Sequence, residues 1–222
     1  MKNRQLNKIW KSEFGNEYTD RLLKVHETEG GRRKNFWDRM INSIDNINSV
    51  TEIGCNAGMN LEGIFNANSK LRITGVDPNN YALKKAKEIA NSRYNVIKGD
   101  TFDLSSIEKS DLVITCTVLI HISPDNLINA MKNIIELSNN YILIMEYYWP
   151  IVKELEYRGL NNALWKRDYG HILMDNFEVN LLETGYLDDR DGFDRVTWWL
   201  FNKTDSGSWT ENEKARFWNN SK

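Results

Sequence analysis

Between residues 49 and 145 the chain repeats one pattern: a short apolar run ending on glycine, an acidic residue or threonine, then a segment of helical length. Ser49–Ile53 (SVTEI) reads as a strand running into a glycine turn, with a helix over Met59–Ala67. Leu71–Val76 (LRITGV) is a second strand, closed by Asp77-Pro78, and Tyr81–Asn91 is strongly helical. Tyr94–Ile97 reads as a third strand, ending at Gly99-Asp100, and Asp111–Thr117 (DLVITCT) as a fourth, apolar on both faces as a buried parallel strand must be. Pro124 opens the next helix behind Ser123 as N-cap, and Tyr141–Met145 (YILIM) is the fifth strand. Strands at helix-length separations predict an α/β, Rossmann-like, doubly wound and mostly parallel sheet with right-handed crossovers.

After Pro150 the pattern breaks. Residues 151–176 read as irregular to helical, and Glu178–Leu182 and Val196–Asn202 as two strands joined by the acidic stretch DDRDGFD (188–194), an antiparallel hairpin on the sheet edge. The last stretch, SGSWTENEKARFWNNSK, reads as a loosely attached helix or tail. At 222 residues the chain suits one domain. Its expected parts are an N-terminal helical lid (1–45), a cofactor-binding core (46–150), an acceptor-side insert (151–177), C-terminal strands (178–203) and a tail (204–222).

A net charge of -2 leaves no broad electrostatic footprint for nucleic acid or an anionic membrane. The one basic run, Arg32-Arg33-Lys34, reads as a solvated helix face. Cys55 and Cys116 lack CxxC spacing and neighbouring His, so neither a disulfide scaffold nor a zinc site is expected. No leader or membrane span is legible, and a cytoplasmic location is the expectation.

The ends of parallel strands are where ligands of such sheets bind, which turns attention to TEIGCNAGMN (51–60). Counted from Gly54, a dinucleotide fingerprint needs glycine at 56 and 59; Asn56 and Met59 stand there, so NAD or FAD fits poorly. The GxNxG turn of Gly54, Asn56 and Gly58 behind Glu52 instead resembles motif I of class I S-adenosylmethionine-dependent methyltransferases, with Asn for the central glycine. That cofactor has no pyrophosphate to clear, and Asn tolerates left-handed backbone well. The resemblance implies that Asp77, beside Pro78, accepts the ribose hydroxyls, and that Asp100, beside Thr101, accepts from the adenine amino group. Thr117 ends the fourth strand on the same rim. Each acid alone reads equally as a turn or helix cap; their order after successive strands is the specific signal.

A closer resemblance covers about residues 8–202. WKSEFGNEYTDR (10–21), VTEIGCNAGMNL (50–61), VLIHISPDNL (118–127), YILIMEYYWP (141–150), YRGLNNALWKRDYG (157–170) and VTWWL (196–200) are similar to the methyltransferases encoded in pseudaminic acid biosynthesis operons. This implies a class I methyltransferase fold: seven mostly parallel strands, an antiparallel C-terminal hairpin and an N-terminal lid helix. It also implies S-adenosylmethionine as donor, S-adenosylhomocysteine as product, and an acceptor near sugar or glycan biosynthesis, assigned in that family from gene neighbourhood.

The N-terminal block is readable physically as well. Trp10, Phe14, Tyr18 and Leu22 share one helix face, interrupted by Gly15. That face either packs on the sheet domain or lids the cofactor, with Tyr18 and Arg21 reaching the methionine carboxylate; a guanidinium fork suits that group.

Methyl transfer to an amine or hydroxyl needs alignment and a proton acceptor. His121, after the fourth strand, is the first candidate, with a core or capping histidine as the alternative. Glu146 leaves the fifth strand at the same rim, beside Tyr147 and Tyr148, which could wall a sugar ring; the alternative is a strand-end Glu paired with an Arg. The insert 157–170 sets Arg158, Lys166 and Arg167 among Trp165 and Tyr169, suited to a diphosphate-linked acceptor, with Asp168 a third catalytic candidate; the alternative is a solvated helix with an internal ion pair. No metal is assigned: His26 and His171 have no acidic partners at ligand spacing, and the loop 188–194 lacks a calcium ladder.

The expectation is a methyltransferase acting on a sugar amine or hydroxyl, in some cases nucleotide-linked, with no nucleic-acid or membrane partner, as monomer or homodimer. The competing readings are another small metabolite or a peptide side chain as acceptor, or a non-catalytic cofactor-binding subunit.

Overall fold

The computed structural model describes residues 8–29 and 31–204. The chain enters through helix α1 (Glu13–Glu29) and α2 (Arg33–Ser43). It then alternates β1 (Ser49–Ile53), α3 (Met59–Ala67), β2 (Arg72–Asp77), α4 (Asn80–Ala90), β3 (Asn95–Lys98), β4 (Ser110–Cys116), α5 (Pro124–Leu137) and β5 (Ser138–Glu146). A short hairpin of β6 (Lys153–Tyr157) and β7 (Leu160–Lys166) follows, then α6 (Tyr169–Asn176), β8 (Val179–Leu187) and β9 (Val196–Lys203).

One sheet takes the order β3-β2-β1-β4-β5-β9-β8. The first five strands are parallel; β9 lies antiparallel to β5 and β8 antiparallel to β9. All five residues of β1 are buried, as the apolar runs required of strands covered on both faces. On one face Trp37, Met40, Leu61, Ile64, Leu112 and Leu143 interlock; on the other, Val113, Leu119, Met131, Ile142, Ile144 and Phe201 do. The chain steps outward from β1 to β2 and β3, then returns to place β4 on the far side of β1. That reversal opens a crevice at the carboxyl ends of β1 and β4.

Two readings change. Residues 151–176 are not irregular to helical: β6 and β7 pair antiparallel, Glu154 opposite Trp165 and Leu155 opposite Leu164, and only Tyr169–Asn176 is helical. The two-residue turn Arg158-Gly159 has φ of 52° and 79°, the left-handed pair whose twist suits a hairpin. The hairpin's charged outer face hid its alternation. The edge strand β8 also runs on to Leu187, because its exposed face accepts Thr184 and Tyr186 without breaking the ladder. The expected C-terminal tail lies outside the described residues. Among the described residues no helix is long and apolar enough to cross a membrane.

Candidate active site

A cavity of about 490 Å³ occupies the crevice. Its inner wall is the turn after β1. Gly54 (φ 76°), Asn56 (φ 47°) and Gly58 (φ 84°) are all left-handed. A Cβ at Gly54 would stand 2.3 Å from the Val118 side chain, so glycine is required there by close approach as well as by φ. Asn56 accepts the left-handed position and uses every polar atom: its N–H donates to Asp77 Oδ2 (2.9 Å), its Nδ2 to Thr19 Oγ1 (3.0 Å), and its Oδ1 accepts from the Ala57 N–H (2.8 Å). Asp77 also accepts from the Asn79 N–H (2.8 Å) and faces the cavity while only 7% exposed; burial pushes its carboxyl up to about 6.

Glu52 lines the same wall. Its Oε1 accepts from Asn60 Nδ2 (2.7 Å), whereas Oε2 is buried with no partner among the described residues, and burial pushes the carboxyl up to about 7. Across the cavity Arg21 lies alike: Nε and Nη2 are buried and unpartnered among the described residues. Pro78, Asp100, Thr101 and Thr117 complete this half. Asp100 accepts from the Phe102 N–H (2.9 Å) and lies 3.5 Å from the Lys11 ammonium. Gly58 is absent from the lining; it caps α3, where a Cβ would press within 3.3 Å of the Tyr94 hydroxyl.

Helix α1 closes the cavity. Asn79 Nδ2 donates to the Trp10 carbonyl (2.8 Å) and to Asn16 Oδ1 (3.0 Å), and the Tyr81 hydroxyl donates to Asp20 (2.7 Å). Gly15 permits this contact: its Cβ would fall 2.0 Å from the Trp10 carbonyl oxygen and 2.6 Å from Asn79 Nδ2. Tyr18 lines the cavity, its hydroxyl pushed upward by burial.

The other half of the cavity carries His121, Tyr147, Tyr157, Arg158, Arg33 and Asp194. His121 ends a single 3-10 turn, Leu119–His121. Its ring packs against both Trp10 (centroids 4.7 Å) and Tyr157 (5.0 Å), and Nδ1 lies 2.7 Å from the Ala163 carbonyl. A carbonyl only accepts, so Nδ1 carries the proton and Nε2 is bare. Burial lowers this imidazole to about 4, keeping it neutral. The Tyr147 hydroxyl donates to Asp194.

Several expected site residues sit elsewhere. Glu146 is fully buried and outside the lining: its carboxylate accepts from the backbone N–H groups of Val118 (3.1 Å), Leu119 (3.0 Å) and Ile120 (3.2 Å). Asp168 caps α6 through the His171 N–H (2.9 Å) and does not reach the cavity. Arg167, expected to be an exposed phosphate ligand, is 1% exposed and donates to the Ile122 carbonyl (2.8 Å). Tyr148 points away, 43% exposed, and Lys166 stacks its ammonium on the Tyr147 ring (5.2 Å) behind the wall. For Arg167 the cause is that the strand β7 carries it inward against the 118–122 turn, while Glu146 is drawn to the N–H groups of that same turn.

Conversely, Arg33 was read as solvated. It lines the cavity, donating to the Gly192 carbonyl (2.8 Å) and to Asn60 Oδ1 (2.8 Å) with its guanidinium over Phe193 (4.6 Å). Phe193 and Asp194 arrive from the acidic loop, whose sequence signalled only a turn. Helical periodicity could have flagged Arg33, three residues before the buried Phe36.

A family model described as a methyltransferase domain matches residues 51–140. No curated protein matches the chain. Among solved structures, magnesium protoporphyrin IX methyltransferase from Synechocystis PCC 6803 with bound S-adenosylhomocysteine is similar at 14% identity and a TM-score of 0.69, over 91% of this chain and 100% of that one. A 1,6-didemethyltoxoflavin-N1-methyltransferase from Burkholderia thailandensis, bound to 1,6-didemethyltoxoflavin and S-adenosylhomocysteine, is similar at 13% and 0.71, over 91% and 90%. The N-terminal domain of EvdMO1, crystallised with S-adenosylhomocysteine and D-fucose, is similar at 14% and 0.58, over 77% and 82%. The chain thus has the class I methyltransferase fold, with the methyltransferase-domain match lying over residues 51–140 of it.

Proposed function

We propose that this methyltransferase moves the methyl group of S-adenosylmethionine to a small acceptor, a sugar amine or hydroxyl of the kind made in nucleotide-sugar or glycan biosynthesis of the pseudaminic acid type. One observation carries the cofactor half of this reading. The cavity holds buried polar atoms of opposite character without partners among the described residues, Nε and Nη2 of Arg21 and Oε2 of Glu52. Buried polar atoms without partners are costly, and a zwitterionic amino-acid moiety supplies what each lacks: a carboxylate for Arg21 and an ammonium for Glu52. Asp77 and Asp100 then stand at the ends of β2 and β3 for the ribose and the adenine, with Gly54, Asn56, Pro78, Thr101 and Thr117 shaping the floor.

The bound cofactor supplies an already electrophilic sulfonium methyl. What remains for the chain is alignment, exclusion of water and removal of one proton. Tyr18 and the α1 lid exclude water. His121, held neutral with a bare Nε2, accepts the proton of the attacking amine or hydroxyl, while Tyr147 and Arg158 line the acceptor's side. The sugar assignment rests on the sequence resemblance over 8–202 and is supported by a domain of this fold having been crystallised with D-fucose.

Two measurements test the reading. Calorimetry should show saturable binding of S-adenosylhomocysteine and none of NAD. A methyl-transfer screen with mass detection, over amino and hydroxy sugars free and nucleotide-linked, should then yield one product gaining a single methyl. Tight cofactor binding with no product from any sugar would point to another metabolite, a peptide side chain or a non-catalytic binding role. His121→Ala should cut turnover on the identified acceptor at least tenfold, as is typical for a lost general base, and leave cofactor affinity intact.

A further inference from the structure

The 118–122 turn that carries His121 is flanked by two buried charged side chains, neither of which lines the cavity. At its start, Glu146 takes three successive backbone N–H groups, those of Val118, Leu119 and Ile120. At its end, Arg167 Nη2 donates to the Ile122 carbonyl (2.8 Å), while Nε and Nη1 have no partner among the described residues. The signs match the turn: a carboxylate at the N–H end, a guanidinium at the C=O end. The two make no direct ion pair within 4 Å among the described residues, so their hydrogen bonds go to the turn and not to each other. Burying two charges is seldom worth its desolvation for stability alone, which directs attention to what the turn carries.

We propose that Glu146 and Arg167 are positioning residues that grip this turn from both ends and so fix the ring that His121 presents to the cavity. The inference rests on His121 being the proton acceptor of the proposed reaction. Strand β7 completes the arrangement, because it supplies the Ala163 carbonyl that holds Nδ1–H and leads directly into Arg167. Tyr157 from β6 and Trp10 from the lid both pack against the ring and against each other (centroids 6.2 Å), crowding it from adjacent sides. The titratable groups packed around His121 are therefore Tyr157, Tyr18 beside Trp10, and Glu146 and Arg167 behind the turn. On this view the β6–β7 insert serves as a brace for the base, and Arg167 at its end is buried for that reason.

Nitrogen-resolved NMR of His121 tests this without any acceptor, in protein saturated with S-adenosylhomocysteine. Wild-type protein should show a single tautomer at pH 7, Nδ1 protonated and Nε2 bare. Glu146→Gln, which loses acceptor capacity, and Arg167→Met, a milder change that deletes one bond, should both move the nitrogen shifts toward the average of two tautomers. Their affinity for S-adenosylhomocysteine should stay within about threefold of wild type, well under the tenfold that marks a lost contact. Folded variants with unmoved His121 shifts, or a wild-type ring protonated on Nε2, would overturn the assignment. Should Glu146→Gln not fold, Arg167→Met decides by the same readout. Failure of the methyltransferase reading shows separately, as absent S-adenosylhomocysteine binding, and leaves the tautomer of the unliganded protein to be read.

Discussion

His121 and Glu52 share one cavity, yet burial moves their proton affinities in opposite directions. Burial disfavours the imidazolium, so His121 sits near 4 against an ordinary 6.5. The unfolded chain then binds that proton more readily, and the stability His121 contributes is complete above pH 6.5 and is lost as pH falls toward 4. Glu52 is raised to about 7 from 4.5, so its contribution is complete below pH 4.5 and is lost as pH rises through 7. Glu52→Gln should therefore stabilise the unliganded protein by about 1–3 kcal/mol at pH 8 and change little at pH 4.5. Urea titrations at the two pH values check this; equal effects would mean that Glu52 keeps its charge when buried. Asp77 has two duties, since it faces the cavity and also holds the Asn56 and Asn79 N–H groups. Asp77→Ala should weaken S-adenosylhomocysteine binding by about 1–3 kcal/mol, through lost charge-assisted bonds and a loosened turn. Unchanged affinity in calorimetry would move the ribose site elsewhere.

At the scale of elements, α1 is attached to the sheet domain over the cavity by a few specific contacts. Gly15 sits where the helix touches the Trp10 carbonyl and Asn79. In an isolated helix Gly→Ala would gain about 1 kcal/mol. Here the added methyl must push the helix away, so Gly15→Ala should weaken S-adenosylhomocysteine binding at least tenfold and speed hydrogen exchange along α1 while β1 and β4 stay protected. Tight binding with faster exchange would show that the lid is dispensable for the cofactor. The glycine of the EFG block was visible in the sequence only as an interruption of the apolar face. Its reason, close approach of its backbone to the side chain of a residue 64 positions later, depends on α1 meeting the N-terminal end of α4.

For the whole molecule, ligand binding couples these parts, because the cavity is lined by α1, the β1 turn, the ends of β2 and β4, and the start of β9. S-adenosylhomocysteine at one hundred times its dissociation constant should add about 2.7 kcal/mol of stability. For a chain of this size that raises the melting temperature by roughly 5–10 °C. The rise should grow with the logarithm of ligand concentration; a melting temperature indifferent to ligand would contradict a single cavity joining lid and sheet.

The sequence by itself determined the parallel core, because strands buried on both faces must be continuously apolar and their connections must be helices of a given length. It also brought Glu52, Asp77 and Asp100 to one wall of the cavity, since those residues stand at or next to strand ends. The tertiary structure alone decided the opposite half of the cavity. Whether Arg33 is solvated, whether Arg167 points outward, and whether Glu146 meets a ligand or a backbone turn depend on the docking of α2, the β6–β7 hairpin and the loop before β9. Those contacts join residues far apart in the chain, and a local pattern of charge and hydropathy does not encode which surface a hairpin will fold against.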